Sequence, residues 1–243
     1  MKLAEFQQIG CEHEGVPLAG FAARPPSGDR LPTVLAFPGA AGGALRMRMT
    51  VSKLAELGYL AAAVSMYDAR EDASDEKAAG RLFMELIKAP DRLRSRVRTW
   101  FDAVAALPGA DPDRMAAIGY CFGGKCVLEL ARGGADVKVT IAYHGLLTTD
   151  APARPGDIKG EVAAYCAGRD PFVPVADIDA LRGELTEAGV PHQITLFSDA
   201  RHAFTDPEAD SHGRAGIAFD ALAERISWAG TVELLDMKLR DRS

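Results

Sequence analysis

A repeated change of period along the chain constrains its fold most. Short apolar runs, unbroken by charge, alternate with segments whose apolar residues recur every three or four positions. Thr33 to Phe37 (TVLAF), Tyr59 to Val64 (YLAAAV), Met115 to Ile118 (MAAI), Val137 to Tyr143 (VKVTIAY), Glu161 to Cys166 (EVAAYC) and His192 to Phe197 (HQITLF) are predicted strands. Between them, helices are predicted over Ala44 to Leu57, Asp75 to Lys88, Asp91 to Leu107, Phe122 to Arg132 and Ala176 to Ala188. A last helix is expected from His212 to Leu239, burying Ile217, Phe219, Leu222, Ile226 and Trp228. An N-terminal hairpin precedes this alternation, and ARPPSGDRLP (Ala23 to Pro32) reads as a surface loop. A strand without polar alternation is buried on both faces. The fold class is therefore α/β, a mostly parallel central sheet with helices on both faces. The 243 residues suffice for one such core, so 1–243 is read as a single domain.

In sheets of this kind the chemistry gathers at the carboxyl ends of the strands. Directly after MAAI stands Gly119-Tyr120-Cys121-Phe122-Gly123-Gly124-Lys125. This is the G-x-S-x-G strand-to-helix turn with Cys in the Ser position. Gly119 and Gly123 are required there because a side chain would strike the neighbouring strand or helix. The turn lifts the sulfur over a helix N-terminus, whose unpaired N–H groups favour thiolate over thiol. A buried structural thiol is the alternative reading of Cys121.

A thiolate needs a base, and the base needs an orienting group. Asp170 follows EVAAYC in CAGRDPFVP, and His202 follows HQITLF in SDARHAF. Both lie just past strand ends, in the order nucleophile, acid, histidine. His13 falls in the hairpin, His192 begins a strand and His212 opens the last helix, a solvated position. His144 ends a strand but precedes Asp170. Asp177 and Asp179 begin a helix, where carboxylates offset the dipole. Asp199 suits a turn, and an Asx-turn before Pro171 is the alternative for Asp170 itself. The catalytic candidates are thus Cys121, Asp170 and His202. The oxyanion-hole candidates are the N–H groups of Phe122, after the nucleophile, and Ala40 in the loop PGAAGG, with Gly39 as second choice for the latter. That loop lacks the GK[ST] ending of a phosphate-binding loop.

Charge and cysteine spacing narrow the partners. The formal charge is −6 and the pI about 5.4, which argues against nucleic acid. Cys11, Cys121, Cys126 and Cys166 form no CxxC pair and no metal-ligand rhythm, so no metal is expected, and reduced thiols suit the cytoplasm. No signal peptide and no membrane span are read from the sequence. A small-molecule ester or lactone is the expected partner.

With these residues in view, the chain resembles the dienelactone hydrolase family of the α/β-hydrolase superfamily. The matching segments are GYCFGG, GRDPFVP, RHAF, the AVSMY after YLAAAV, and AYHG, spanning about Thr33 to Phe204. The resemblance implies a Cys–His–Asp triad, no cofactor, and hydrolysis of dienelactones or related small esters. It also implies a Glu beside the thiol, where this chain has Gly39, and an Arg after the histidine, where it has Asp206. Arg81 lies near a second expected Arg. Gly39, Tyr67, Arg81, Tyr143, His144 and Phe204 are the candidate substrate-binding residues, with Phe122, Met47 and Arg48 as further positions. Two other readings stand beside hydrolysis: a thiol redox role pairing Cys121 with Cys126, and a silent small-molecule binder on the same fold.

Overall fold

The computed structural model describes residues 5–26, 28–73 and 75–240. Its centre is one eight-stranded sheet in the order β1-β2-β4-β3-β5-β6-β7-β8. The strands are β1 (Gln7–His13), β2 (Val16–Ala23), β3 (Leu31–Phe37), β4 (Leu60–Asp68), β5 (Ala110–Tyr120), β6 (Val139–Tyr143), β7 (Glu161–Ala167) and β8 (His192–Phe197). β1 and β2 form the expected hairpin, and β2 runs antiparallel to β4. Every pairing from β4 onward is parallel. Pro17 and Pro32 sit near strand starts and Gly15 turns the hairpin with a positive φ of 75°, as these residues require.

The helices are α1 (Ala44–Glu56), α2 (Glu76–Ile87), α3 (Pro90–Ala105), α4 (Phe122–Arg132), α5 (Val175–Glu187) and α6 (Ala221–Leu239). They divide between the two faces. Leu82, Val97, Trp100, Val127 and Leu181, from α2 to α5, join one core. Met47, Val51, Leu54, Leu234 and Leu235, from α1 and α6, join the other. β5 shows why its apolar run is unbroken: Met115 and Ala117 enter the first core, Ala116 and Ile118 the second. Each successive side chain finds a covered face.

α4 is buried along its whole length, so its polar residues are paired. Arg132 meets Glu184 of α5 at 2.6 Å and Glu129 at 3.1 Å, and Arg94 of α3 holds the second Glu129 oxygen. Lys125 donates to the Thr148 carbonyl at 2.6 Å. These bonds satisfy charges that would be costly alone, and they seat the helix whose N-terminus underlies Cys121.

The last helix differs from expectation. It begins at Ala221, capped by Asp220, whose carboxylate accepts the N–H groups of Leu222 and Ala223. His212 instead closes a short 3-10 turn, Ala209–His212; its side chain lies outside the described residues. Leu222 and Ile226 are exposed, and the buried stripe runs through Ala223, Ser227, Thr231, Leu234, Leu235 and Leu239. Ile217 and Phe219 precede the helix and are only half-buried. Counting from the large apolar residues chose the wrong face, because small residues take the close contact with the sheet.

Candidate active site

The three strand ends converge as their order in the sheet dictates. β5, β7 and β8 are parallel, so the segments leaving them share one rim. Cys121 follows β5 with φ 55° and ψ −115°, a strained conformation for a side-chain-bearing residue. Its backbone N–H donates to the Tyr143 carbonyl at 3.0 Å, and its carbonyl accepts from Gly124 at 2.9 Å. A Cβ on Gly119 would stand 1.9 Å from the Gly123 carbonyl oxygen, and one on Gly123 2.1 Å from that of Phe37. Both glycines are therefore required by contact, as the sequence suggested.

Asp170 and His202 sit on loops tied to each other. Gly168 and Arg169 donate backbone N–H groups to Phe197 and Ala200 at 2.8 and 2.9 Å. His202 is held on its other side by the segment 214–218, donating to Gly216 at 3.0 Å and accepting from Ala218 at 3.2 Å. Across this frame His202 Nδ1 meets Asp170 Oδ2 at 2.7 Å, both side chains buried. The other Asp170 oxygen accepts the Phe172 N–H at 2.8 Å. The Asx-type turn and the histidine contact are thus made by one carboxylate.

His202 also interacts with Cys121. The backbone N–H groups of Ala40 and Phe122 act on that sulfur as well. Burial alone would push the Cys121 thiol up. His202, through its hydrogen bond and charge, outweighs burial with help from the two N–H groups and holds the thiol below its ordinary range. Burial alone would lower His202; its bonds to Asp170 and Cys121 raise it instead to about 10. Both directions favour a thiolate beside an imidazolium. The other thiols differ: burial pushes Cys126 well up, Cys166 up to about 12, and Cys11 up despite nearby Arg96.

The candidate pocket residues separate into groups. Gly39 faces the nucleophile: a Cβ there would lie 3.4 Å from Cys121 Cβ and 4.0 Å from Sγ. Tyr67 donates to the Ala40 carbonyl at 3.0 Å and stacks on Phe122, steadying the loop that carries the Ala40 N–H. Gly39, Met47, Tyr67 and Phe122 line a cavity of about 240 Å³. His144 packs edge-on against His202 with centroids 5.0 Å apart, and burial, then the charges of His202 and Arg46, keep it neutral.

Phe204 is fully buried between His144 and Phe197. Tyr143 stacks between Tyr120 and Tyr165 and bonds Thr231. Both belong chiefly to the core. Arg81 is not brought to the sulfur's cavity; it pairs with Glu71 at 2.8 Å and Glu85 at 3.0 Å in a separate cleft. Arg48 lies over the rings of Phe6 and Phe21.

Arg46 is the residue that sequence reasoning missed. It bonds Thr205, whose hydroxyl also meets His144 Nε2 at 2.8 Å. It stands 4.4 Å from the Tyr120 ring and 3.7 Å from Asp206. It shares the start of the helix after PGAAGG with Arg48, and no local signal in the sequence separates the two. No group of three or more His, Cys, Asp or Glu is placed to hold a metal ion among the described residues. No described helix is long and apolar enough to cross a membrane.

The parallel sheet, the strained elbow and the histidine–carboxylate pair past successive strands define an α/β-hydrolase. Residues 18–239 match the dienelactone hydrolase family, and the chain belongs to it, and so is a hydrolase. It is similar to the solved structure of m3DLH, with 33% identity, a TM-score of 0.90 and coverage of 97% of this chain and 99% of that one. A dienelactone hydrolase-like promiscuous phosphotriesterase, P91, from metagenomic libraries gives 28% identity, a TM-score of 0.90 and coverage of 98% and 100%. An Escherichia coli (strain K12) protein described as "Putative carboxymethylenebutenolidase" is 29% identical over 237 residues, covering 87% of this chain and 86% of that protein.

Proposed function

We propose that the protein is a cysteine-dependent hydrolase of small esters or lactones, with Cys121, His202 and Asp170 as its triad and Ala40 and Phe122 as its oxyanion hole. The carrying observation is the 2.7 Å contact between His202 Nδ1 and Asp170, with His202 and two backbone N–H groups acting on the Cys121 sulfur. The Cys121 thiolate attacks the carbonyl carbon, forming a C–S bond as the carbonyl π pair moves onto oxygen. The N–H groups of Ala40 and Phe122 hold that oxyanion. As the pair returns, the alkoxide leaves and takes the proton from His202. In a lactone the alcohol remains tethered, as a hydroxyacyl thioester.

His202, now neutral, takes a proton from water as it attacks the thioester. Collapse expels the thiolate and releases the carboxylic acid. Asp170 holds the imidazole in orientation throughout and supports its positive charge. An alkoxide or thiolate leaves the tetrahedral intermediate more readily than an amine, so esters, lactones and thioesters are the matching substrates. Cys126 is fully buried in the core under α4, and no observation favours its pairing with Cys121.

The test is turnover of aryl and enol esters by Cys121→Ala and His202→Ala. Each is expected to lose at least about 1,000-fold in kcat/KM, as removal of a triad member does elsewhere. Turnover at the parent rate in either variant overturns the assignment.

A further inference from the structure

We infer that the cavity beside Gly39 is the acyl subsite, and that it selects uncharged, apolar acyl groups. This rests on the hydrolase reading above and specifies its substrate class. The cavity, about 240 Å³, lies between β2, β4 and the start of α1. Among the described residues its walls are chiefly Phe21, Met47, Val64, Met66 and Phe122, its polar side chains are Tyr67, Gln8 and Ser65, and no charged side chain lines it. An apolar cavity of roughly 150 Å³ accommodates a benzene ring, so an aryl or short alkyl acyl chain fits here.

Position decides which part of the ester enters. The cavity is lined by Gly39 and Phe122, next to the two oxyanion donors, and by no residue of the His202 or Asp170 loops. The leaving group must lie against His202 to receive its proton. A second cavity, about 250 Å³, is lined by Thr205, Asp206 and Pro207, which follow His202 along the chain. The first cavity, beside the oxyanion donors and away from the histidine's segment, is the one that suits the acyl chain.

A carboxylate at the end of that chain would meet no cation on the cavity's described lining. The arginines of the surrounding elements are engaged elsewhere: Arg46 with Thr205, Asp206 and the Tyr120 face, Arg48 over the rings of Phe6 and Phe21, and Arg81 with Glu71 and Glu85. The Tyr67 hydroxyl is committed to the Ala40 carbonyl at 3.0 Å. A buried anion without a partner is strongly disfavoured.

The experiment compares two esters with the same leaving group and similar acyl length: 4-nitrophenyl pentanoate and mono-4-nitrophenyl glutarate. The intact protein is expected to favour the pentanoate by about 100-fold or more in kcat/KM, the scale of an unpaired buried charge. Ala19, an exposed β2 position on the cavity wall, supplies a second arm. Ala19→Phe is expected to lower kcat/KM for the pentanoate about ten-fold relative to 4-nitrophenyl acetate, which leaves the cavity unfilled. Equal turnover of pentanoate and glutarate, or equal effects of Ala19→Phe on acetate and pentanoate, overturns the subsite. Cys121→Ala keeps the two questions apart. If it retains turnover, the hydrolase reading fails; if turnover needs Cys121 but ignores acyl charge, only the subsite fails.

Discussion

Asp170→Asn tests the charge pair most directly. The carboxylate meets His202 Nδ1 at 2.7 Å, inside the protein, and heads the interactions that raise the imidazole to about 10. Asparagine keeps the shape and removes the charge. A hydrogen bond to a charged group is worth about 1.5–3 kcal/mol, and each pKa unit is about 1.4 kcal/mol. The imidazolium should therefore fall by roughly one to two units, and the thiolate it supports should become correspondingly harder to form.

The assay is the rate of Cys121 carboxamidomethylation by iodoacetamide against pH, located by peptide mass. Cys126 and Cys166 are buried, and all three other thiols are raised, so labelling at neutral pH isolates Cys121. The parent protein should inflect below the ordinary thiol value of about 8.5. Asp170→Asn should inflect later and react about 10- to 100-fold more slowly at neutral pH. Superimposable profiles would refute the reasoning, because they would mean that the carboxylate does not sustain the ion pair.

Two other outcomes follow from the same geometry. Gly123→Ala would bring a Cβ to 2.1 Å from the Phe37 carbonyl oxygen and 2.7 Å from that of Pro38, so urea unfolding should show a loss of about 3 kcal/mol; an unchanged midpoint would contradict the close approach of elbow and loop. The ion pair also shapes stability against pH. His202, raised to about 10, contributes stability that is complete below the unfolded value of about 6.5 and lost as pH rises through about 10. Cys121, lowered, contributes stability present above about 8.5 and lost as pH falls through its folded value. Between about pH 6.5 and 8.5 each state carries one proton on the pair, so the two trends cancel. The stability difference between the parent and Cys121→Ser/His202→Gln should be level there and shrink on both sides; a steady slope across that window would show that the folded pair does not hold a single proton.

The sequence carried the alternation of elements well, because strands buried on both faces cannot be disguised. β8 (His192–Phe197) and α4 (Phe122–Arg132) fall where the pattern puts them. β5 starts earlier, at Ala110, since its first residues, ADPDR, form the polar entry to a strand whose apolar part begins only at Met115. The candidate site was legible where a motif forces geometry. Gly119 and Gly123 announce a tight crossing, and the order of Cys121, Asp170 and His202 matches successive strand ends. Side-chain destination was less legible. Phe204 and Tyr143 flank site residues along the chain yet turn into the core, and Arg81 finds two carboxylates before it finds the cavity. Nothing local in ALRMR distinguishes Arg46, which turns inward to Thr205, from Arg48, which covers surface rings.

Because the sulfur, the imidazole and the carboxylate leave three different parallel strands, none of them can be assembled by local structure alone. The histidine arrives with β8, the last strand along the chain and an edge of the sheet. A chain that has collapsed, or has formed its N-terminal half, would hold the thiol without its base. Onset of ester turnover during refolding would thus mark completion of the last ladder, and would lag any signal that reports burial of Trp100 in the opposite core.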